Sequence, residues 1–414
     1  SCSVCAGRIQ SGLGVGPMGC HLQAAVSGVP IESDDGKERI RSRSPPQETY
    51  SYERFPGKLR YRSIPIISFS SDVREMRIWA EGSIDNGEVQ RSGKPPNWTI
   101  REPVAMSPAY LGFSIEPEEP RYLHYQGVGV VFARPSGGMF MQPSIDTIML
   151  CSGLERLFAK HDQPFQRVVD VGSGSGFVGK FAAVHATGLE EEPLEVTLVD
   201  IDPAAIKYNK SLGFNAPSQS SRGRPIHWAH HSGDAVELLE QDHGFDLLVS
   251  NPPYIPTTKE VVGGRSVTAA RAGRSSFWEG IGLVEFLIEH FASGRSCPPG
   301  AHLVLVVSSL TLKAPAVLEA LHGLANRGVS CRCLVEREVA WKAWYAGPRS
   351  REHLLAKGAD VRQRQNLRGQ DVRVFVGATP PGQSRLQIVH DGRDHLSYHW
   401  HLIYVLDLWH NAKK

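Results

Sequence analysis

From residue 121 onward, apolar residues fall into short, regularly spaced runs. "GVGVVFAR" predicts a strand, "PSGG" a turn and "MFMQ" a short returning strand. "PSIDTIMLCSGLERLFAK" then predicts a helix, with Ser144 as N-cap and Ile145, Met149, Leu150 and Leu154 on its apolar face. Strands follow at 166–171, 195–200, 226–231, 245–250 and 302–307. Helix-like pieces separate them: "GFVGKFAAVHAT", "PAAIKYNKSLG", "AVELLEQ" and "IGLVEFLIEHFAS". This alternation predicts an α/β fold, a mostly parallel sheet with helices on both faces. "CRCLVEREVAWKAW" and "HWHLIYVLDLW" predict a final antiparallel hairpin, interrupted by a basic insertion at about 346–398. So long an insertion inside a hairpin points to an added function.

Upstream the pattern is weaker. Residues 1–50 are rich in Gly, Ser, Pro and charge without apolar periodicity, and 58–115 hold only short strand-like pieces such as "SIPIISFS". The expected division is a partly irregular N-terminal region, 1–115, serving as a substrate-binding extension, and a catalytic domain over 116–414.

Composition narrows the function classes. No apolar run approaches the ~20 residues of a membrane-spanning helix, and the N-terminus lacks the layout of a secretory signal. The expectation is no membrane partner. The seven cysteines show no disulfide spacing, which favours a cytoplasmic location. Cys2, Cys5, Cys20 and His21 are poorly spaced for zinc, and His399 and His401 lack further ligands, so no metal is expected. Net charge is +2. Two local stretches are basic, however: 37–62, with interleaved aromatics, and 341–373, each with eight Lys or Arg against three acidic residues. They read as solvated surface, with a phosphate-tracking patch as the alternative.

The strand ends carry the candidate chemistry, because ligands of an open parallel sheet bind outside its carboxyl edge. The first strand ends in "VVDVGSGSGFVG", where Gly172, Gly174 and Gly176 alternate before a helix, with Asp170 and Ser173 among them. Gly174, Gly176 and Gly179 also match the dinucleotide fingerprint, but Gly172 holds the place its first glycine should occupy. The second strand ends at Asp200, placed to accept from ribose hydroxyls, with Asp202 as the alternative or as an N-cap before Pro203. Asp234 follows the third strand and precedes a helix.

The fourth strand runs into "FDLLVSNPPYIP". Two adjacent prolines lack N–H groups and have fixed φ, so the strand stops at Ser250. An Asn-Pro-Pro-Tyr sequence here matches the signature of methyltransferases that modify planar nitrogens. An amide or aryl amine is a poor nucleophile because its lone pair is delocalised. Acceptors at the Asn251 side-chain oxygen and the Pro252 carbonyl, fixed by Pro252 and Pro253, hold its N–H groups and stabilise the positive charge that develops there. Tyr254 supplies a ring for stacking.

With "VVDVGSGSG" and "VDIDPAAI" upstream, the segment resembles class I S-adenosylmethionine (SAM)-dependent methyltransferases, and within them the HemK-type protein glutamine methyltransferases that modify release factors. "MFMQPSIDTIML" is similar to their P-x-x-(D/E)-T segment. The resemblance covers about 139–256 well and 257–310 loosely, and fails in 1–115, in 257–283 and in the C-terminal insertion. It implies a Rossmann-like sheet and SAM as cofactor, held by Asp170, Gly172, Ser173, Gly174, Gly176 and Asp200. Asp234 contacts adenine or caps its helix; Asp146 and Thr147 lie near the pocket, or Thr147 simply starts a helix. Trp278 and Glu279 fall where a substrate lid or plain loop packing is expected.

The leading expectation is N-methylation of a planar nitrogen, either a glutamine amide in a release-factor-like protein or an exocyclic amine in RNA or DNA. A SAM-binding scaffold without activity and an NAD-dependent oxidoreductase are the competing classes. Oligomeric state is not legible.

Overall fold

The computed structural model describes residues 121–132, 143, 145–161, 164–186, 192–211, 214–241, 244–254, 281–340 and 400–411, with short strands between 31 and 101. The insertion at 346–398, the segment 257–280 with Trp278 and Glu279, Ser144, the returning strand at 139–142 and the N-terminal cysteines lie outside the described residues, as do the side chains of His399 and His401.

Strands Arg167–Val171 (β10), Leu194–Asp200 (β11), Ile226–Ser232 (β12), Leu247–Ser250 (β13) and His302–Ser308 (β14) are the predicted parallel strands, and adjacent ones pair in parallel. Val329–Ala340 (β15) and Trp400–His410 (β16) form the predicted hairpin, with β16 antiparallel to both β15 and β14. Ile31–Ser33 (β1) adds a parallel strand beside β15. The sheet order is β1-β15-β16-β14-β13-β10-β11-β12.

Helices Ile145–Lys160 (α1), Phe177–His185 (α2), Pro203–Asn209 (α3), Ala235–Gln241 (α4), Gly282–Ala292 (α5) and Pro315–His322 (α6) connect or flank these strands. Every residue of β13 and β14 is buried, as expected of parallel strands covered on both faces. By contrast, the edge strand β12 buries only its first residue fully. Helix α1 buries more than its predicted stripe: every residue from Ile145 to Leu154 is buried.

Asp407 on β16 locks the terminal hairpin. It is fully buried, accepts from Arg332 Nε and Nη2 at 2.9 Å each, and pairs with His302 Nδ1 at 2.7 Å. One carboxylate thereby ties together β14, β15 and β16.

Upstream of the expected turn, "GVGVVF" has a strand partner that the apolar pattern did not predict. Arg121–Tyr125 (β8) pairs with Val128–Phe132 (β9), so the partner strand precedes "GVGVVF". Gln126 (φ 47°) and Gly127 (φ 76°) make the two-residue turn, and positive φ at both central positions suits the twist of a tight hairpin. Glycine takes this geometry readily; Gln126 gives no such signal in the sequence.

β8 also pairs in parallel with Ile66–Phe69 (β3), which pairs with Glu75–Trp79 (β4), and that with Trp98–Arg101 (β7). Residues on both sides of the expected 115/116 division thus share one five-stranded sheet. A further small sheet contains Arg60–Tyr61 (β2), Gly82–Asp85 (β5) and Glu88–Arg91 (β6). The β8–β9 hairpin is docked on the main domain by Lys180 of α2. This buried ammonium donates to Gly129 O (2.7 Å) and Phe214 O (2.6 Å), and Tyr208 of α3 donates to Val131 O at 2.5 Å.

Candidate active site

The sheet register assembles the site. Val171, the last residue of β10, stands opposite Val199 of β11 and Ser250 of β13. Val199 faces His231 of β12, and Ser250 faces Leu305 of β14. The residues that follow this row therefore leave the sheet side by side. β11 lies on one side of β10 and β13 on the other, so the chain changes direction between β10 and β13, where a ligand crevice opens in such folds.

The glycine loop occupies that point. Gly172 and Ser173 donate their N–H groups to Val199 O at 2.9 and 3.0 Å, and Gly174 donates to Asp200 Oδ2 at 2.8 Å. Gly172, Gly174 and Gly176 all have φ between 51° and 69°, which side chains disfavour. Their surroundings differ. A Cβ on Gly172 would meet no described atom within 4 Å, whereas one on Gly176 would lie 2.6 Å from Phe214 and 2.9 Å from Asn209 Oδ1. Gly172 thus lines open space and Gly176 is packed. Gly179 has the packing role: a Cβ there would collide with Leu198 and approach Asp170 Oδ2 at 3.0 Å. Ser173 is buried and accepts from Asn209 Nδ2 at 3.0 Å.

The acidic residues divide by partner. Asp200 braces the loop, accepting from Gly174 N through Oδ2 and from Asp202 N through Oδ1 (2.8 Å). Asp202 is the N-cap of α3, accepting from Ala204 N at 2.9 Å, with Pro203 at the first turn. Asp234 caps α4, accepting from Val236 N at 3.0 Å. Asp170 points into the protein, 1% exposed, and accepts from Gly179 N at 2.8 Å. Burial raises its carboxyl to about 7, the Gly179 N–H works against this, and the nearby Asp200 adds to it.

Asn251 and Tyr254 are gripped from one helix terminus. Asn251 Nδ2 donates to Thr147 Oγ1 at 3.2 Å, and the Tyr254 hydroxyl donates to Asp146 Oδ2 at 2.8 Å. Asn251 Oδ1 is buried and has no hydrogen-bond partner among the described residues. Pro252 is buried and Pro253 exposed. Tyr254 is only 6% exposed and belongs to the core, so its ring has a packing role beside the stacking expected of it. Behind the loop, Ser250 Oγ donates to Val171 O at 2.8 Å, and Thr311 Oγ1 donates to Tyr254 O.

Ser250, Ser308, Thr311, Asn209 and Lys180 were not legible as site supports. The available signal was the hydroxyl-rich "SSLT" directly after the fifth apolar strand, at the same sheet edge as the other groups.

Comparison with known proteins falls on this same stretch. Residues 134–272 match the family model of the methyltransferase small domain. Over 109 residues the chain is 28% identical to a tRNA1(Val) (adenine(37)-N6)-methyltransferase of Erwinia tasmaniensis, covering 25% of this chain and 39% of that protein. Over 89 residues it is 37% identical to a release factor glutamine methyltransferase of Bordetella pertussis, covering 22% of this chain and 28% of that protein. The matched stretches therefore span well under half of either relative. A solved structure, the YcgJ protein of Bacillus subtilis, aligns over 63% of this chain and 99% of its own with 10% identity and a TM-score of 0.34. The resemblance to class I and HemK-type enzymes is borne out over the matched stretch, and a methyltransferase domain implies SAM as methyl donor.

Proposed function

We propose that this protein is a SAM-dependent N-methyltransferase whose acceptor is a planar nitrogen, a glutamine amide or an exocyclic base amine. The observation that carries this reading is Asn251 Oδ1, a buried acceptor without a partner among the described residues, at the crevice between β10 and β13. A buried polar atom left unpaired costs about 1–3 kcal/mol, and an incoming N–H removes that cost.

The residues present fit the cofactor. Gly172 leaves open space on its Cβ side in a backbone conformation that glycine favours, the Asp200 carboxylate stands at the end of β11 against the glycine loop, and the loop leads into the N-terminus of α2. Gly172, Gly174 and Asp200 would hold it, with Asp170 acting behind them through Gly179. When bound, SAM supplies an electrophilic methyl group on a sulfonium.

The chain's own task is to orient the acceptor and stabilise its charge. Asn251 Oδ1 accepts an N–H of the planar group, and that hydrogen bond strengthens as the nitrogen becomes positive. Two prolines and the contacts to Thr147, Asp146 and Thr311 keep the loop from reorganising. Such positioning supplies a large part of rate enhancement in group transfer.

The two substrate classes are those named for the relatives, a release factor glutamine and a tRNA adenine. The test is incubation with methyl-labelled SAM and fractionated extract. Label is expected in a protein or nucleic-acid fraction and is expected to vanish with Asn251→Ala; label undiminished in that variant overturns the mechanism. A salt titration of substrate binding separates the classes, since a nucleic-acid complex weakens steeply with salt.

A further inference from the structure

We infer that Thr147 is a positioning residue that decides which end of the Asn251 amide faces the acceptor nitrogen. The inference rests on the methyltransferase reading and departs from the sequence expectation that placed Thr147 beside the cofactor.

An asparagine amide is nearly symmetric in shape but opposite in chemistry at its two ends. A planar nitrogen approaching the site brings N–H donors. With Oδ1 outward the amide accepts them; rotated by half a turn, it presents its own NH₂ and repels them. The side chain of Asn251 therefore needs something that distinguishes the ends. Thr147 Oγ1 lies 3.2 Å from Asn251 Nδ2 and takes its N–H, which leaves Oδ1 as the end without a partner among the described residues.

The surroundings hold this contact in register. Thr147 is 6% exposed and lies in the first turn of α1, a helix buried along most of its length. The neighbouring Asp146 accepts from the Tyr254 hydroxyl at 2.8 Å, so two successive helix residues grip both ends of the Asn251–Tyr254 segment. From the opposite side, Thr311 and Ser308 hydroxyls donate to the Tyr254 carbonyl. Ser308 and Thr311 lie at and beyond the end of β14, and Ser250 ties the base of the loop to Val171. The backbone of the loop is fixed without Thr147. What Thr147 adds is the sense of the amide, and Asp146, engaged by Tyr254, does not replace it.

The test compares wild type, Thr147→Val, Thr147→Ser and Asn251→Ala in two readouts. The first needs no turnover. In protein labelled with ¹⁵N-asparagine, the Asn251 side-chain NH₂ signal is identified by its absence in Asn251→Ala. It is expected to shift and exchange faster in Thr147→Val, and to keep its wild-type position in Thr147→Ser. The second is methyl transfer. Thr147→Val is expected to lower kcat by about 10- to 100-fold, the scale of a misplaced reacting group. The calorimetric Kd for SAM should stay close to wild type, the melting temperature should fall only by the few degrees that one lost buried hydrogen bond costs, and Thr147→Ser should recover most of the rate.

Thr147→Val with wild-type kcat overturns the positioning role while leaving the methyltransferase reading intact. A weakened SAM Kd in that variant, with kcat unchanged at saturating SAM, returns Thr147 to the cofactor pocket and also overturns the role. Absence of methyl transfer by the wild-type protein overturns the parent reading, and the positioning role with it. If Thr147→Val melts far below wild type, Thr147→Ser decides: an unshifted amide signal with unrestored kcat overturns the proposal.

Discussion

Ser250 and Val171 stand opposite each other in adjacent parallel strands, and the Ser250 hydroxyl donates to the Val171 carbonyl at 2.8 Å. The next residue on one strand is Gly172 and on the other Asn251, so this contact fixes the glycine loop and the Asn-Pro-Pro-Tyr loop to a common origin. Ser250→Ala leaves the Val171 carbonyl short of a partner in a fully buried setting. A stability loss of about 1–2 kcal/mol is expected, read as a lower urea midpoint at unchanged slope.

Gly172 and Gly176 share a φ of 69° but face different surroundings. Gly176→Ala adds a collision with Phe214 and Asn209 to backbone strain of about 1–2 kcal/mol, so it should be the more destabilising change. Gly172→Ala carries the strain alone, yet it sends a methyl into the open space assigned to SAM. Calorimetry should show the larger loss of SAM affinity per unit of lost stability in Gly172→Ala.

Two buried charges give opposite pH signatures. Burial raises Asp170 from 3.8 to about 7, so its contribution to stability is full below about 4 and is lost as pH rises to about 7. Burial lowers Lys180 from 10.5 to about 7, so its contribution is full above about 10.5 and is lost as pH falls through about 7. The unfolding free energy of wild type relative to Asp170→Asn should therefore fall between pH 4 and 7. Relative to Lys180→Met it should rise between pH 7 and 10. Urea titrations across both windows check the signs.

Asp407 is fully buried between Arg332 and His302. Asp407→Ala removes the shared partner of the half-buried Arg332 and the buried His302 and should cost about 3 kcal/mol, the lower end for a broken buried pair. His302 is the first residue of β14, so this loss falls at the amino edge of the parallel strands, away from the site, and measured SAM affinity in the folded fraction should be nearly unchanged.

The sequence by itself determined the strand–helix alternation, the terminal hairpin and the order in which chemical groups meet the carboxyl edge. Those features follow from local rules: apolar runs of strand length, glycines where φ must be positive, and prolines that stop β13 after Ser250. Asp202 as an N-cap was legible for the same reason, because Asp followed by Pro matches a helix start.

Tertiary structure decided what depends on distant partners. It turned Asp170 inward to Gly179, set Asp234 as a cap, buried the Tyr254 ring against Asp146, and chose β8 as the partner of β9. It also placed Thr147 against Asn251, 104 residues away in sequence. A side chain's type states which hydrogen bonds it can make. Only packing of the strands and helices states which partner lies within 3 Å, and whether one of its atoms is left for a substrate.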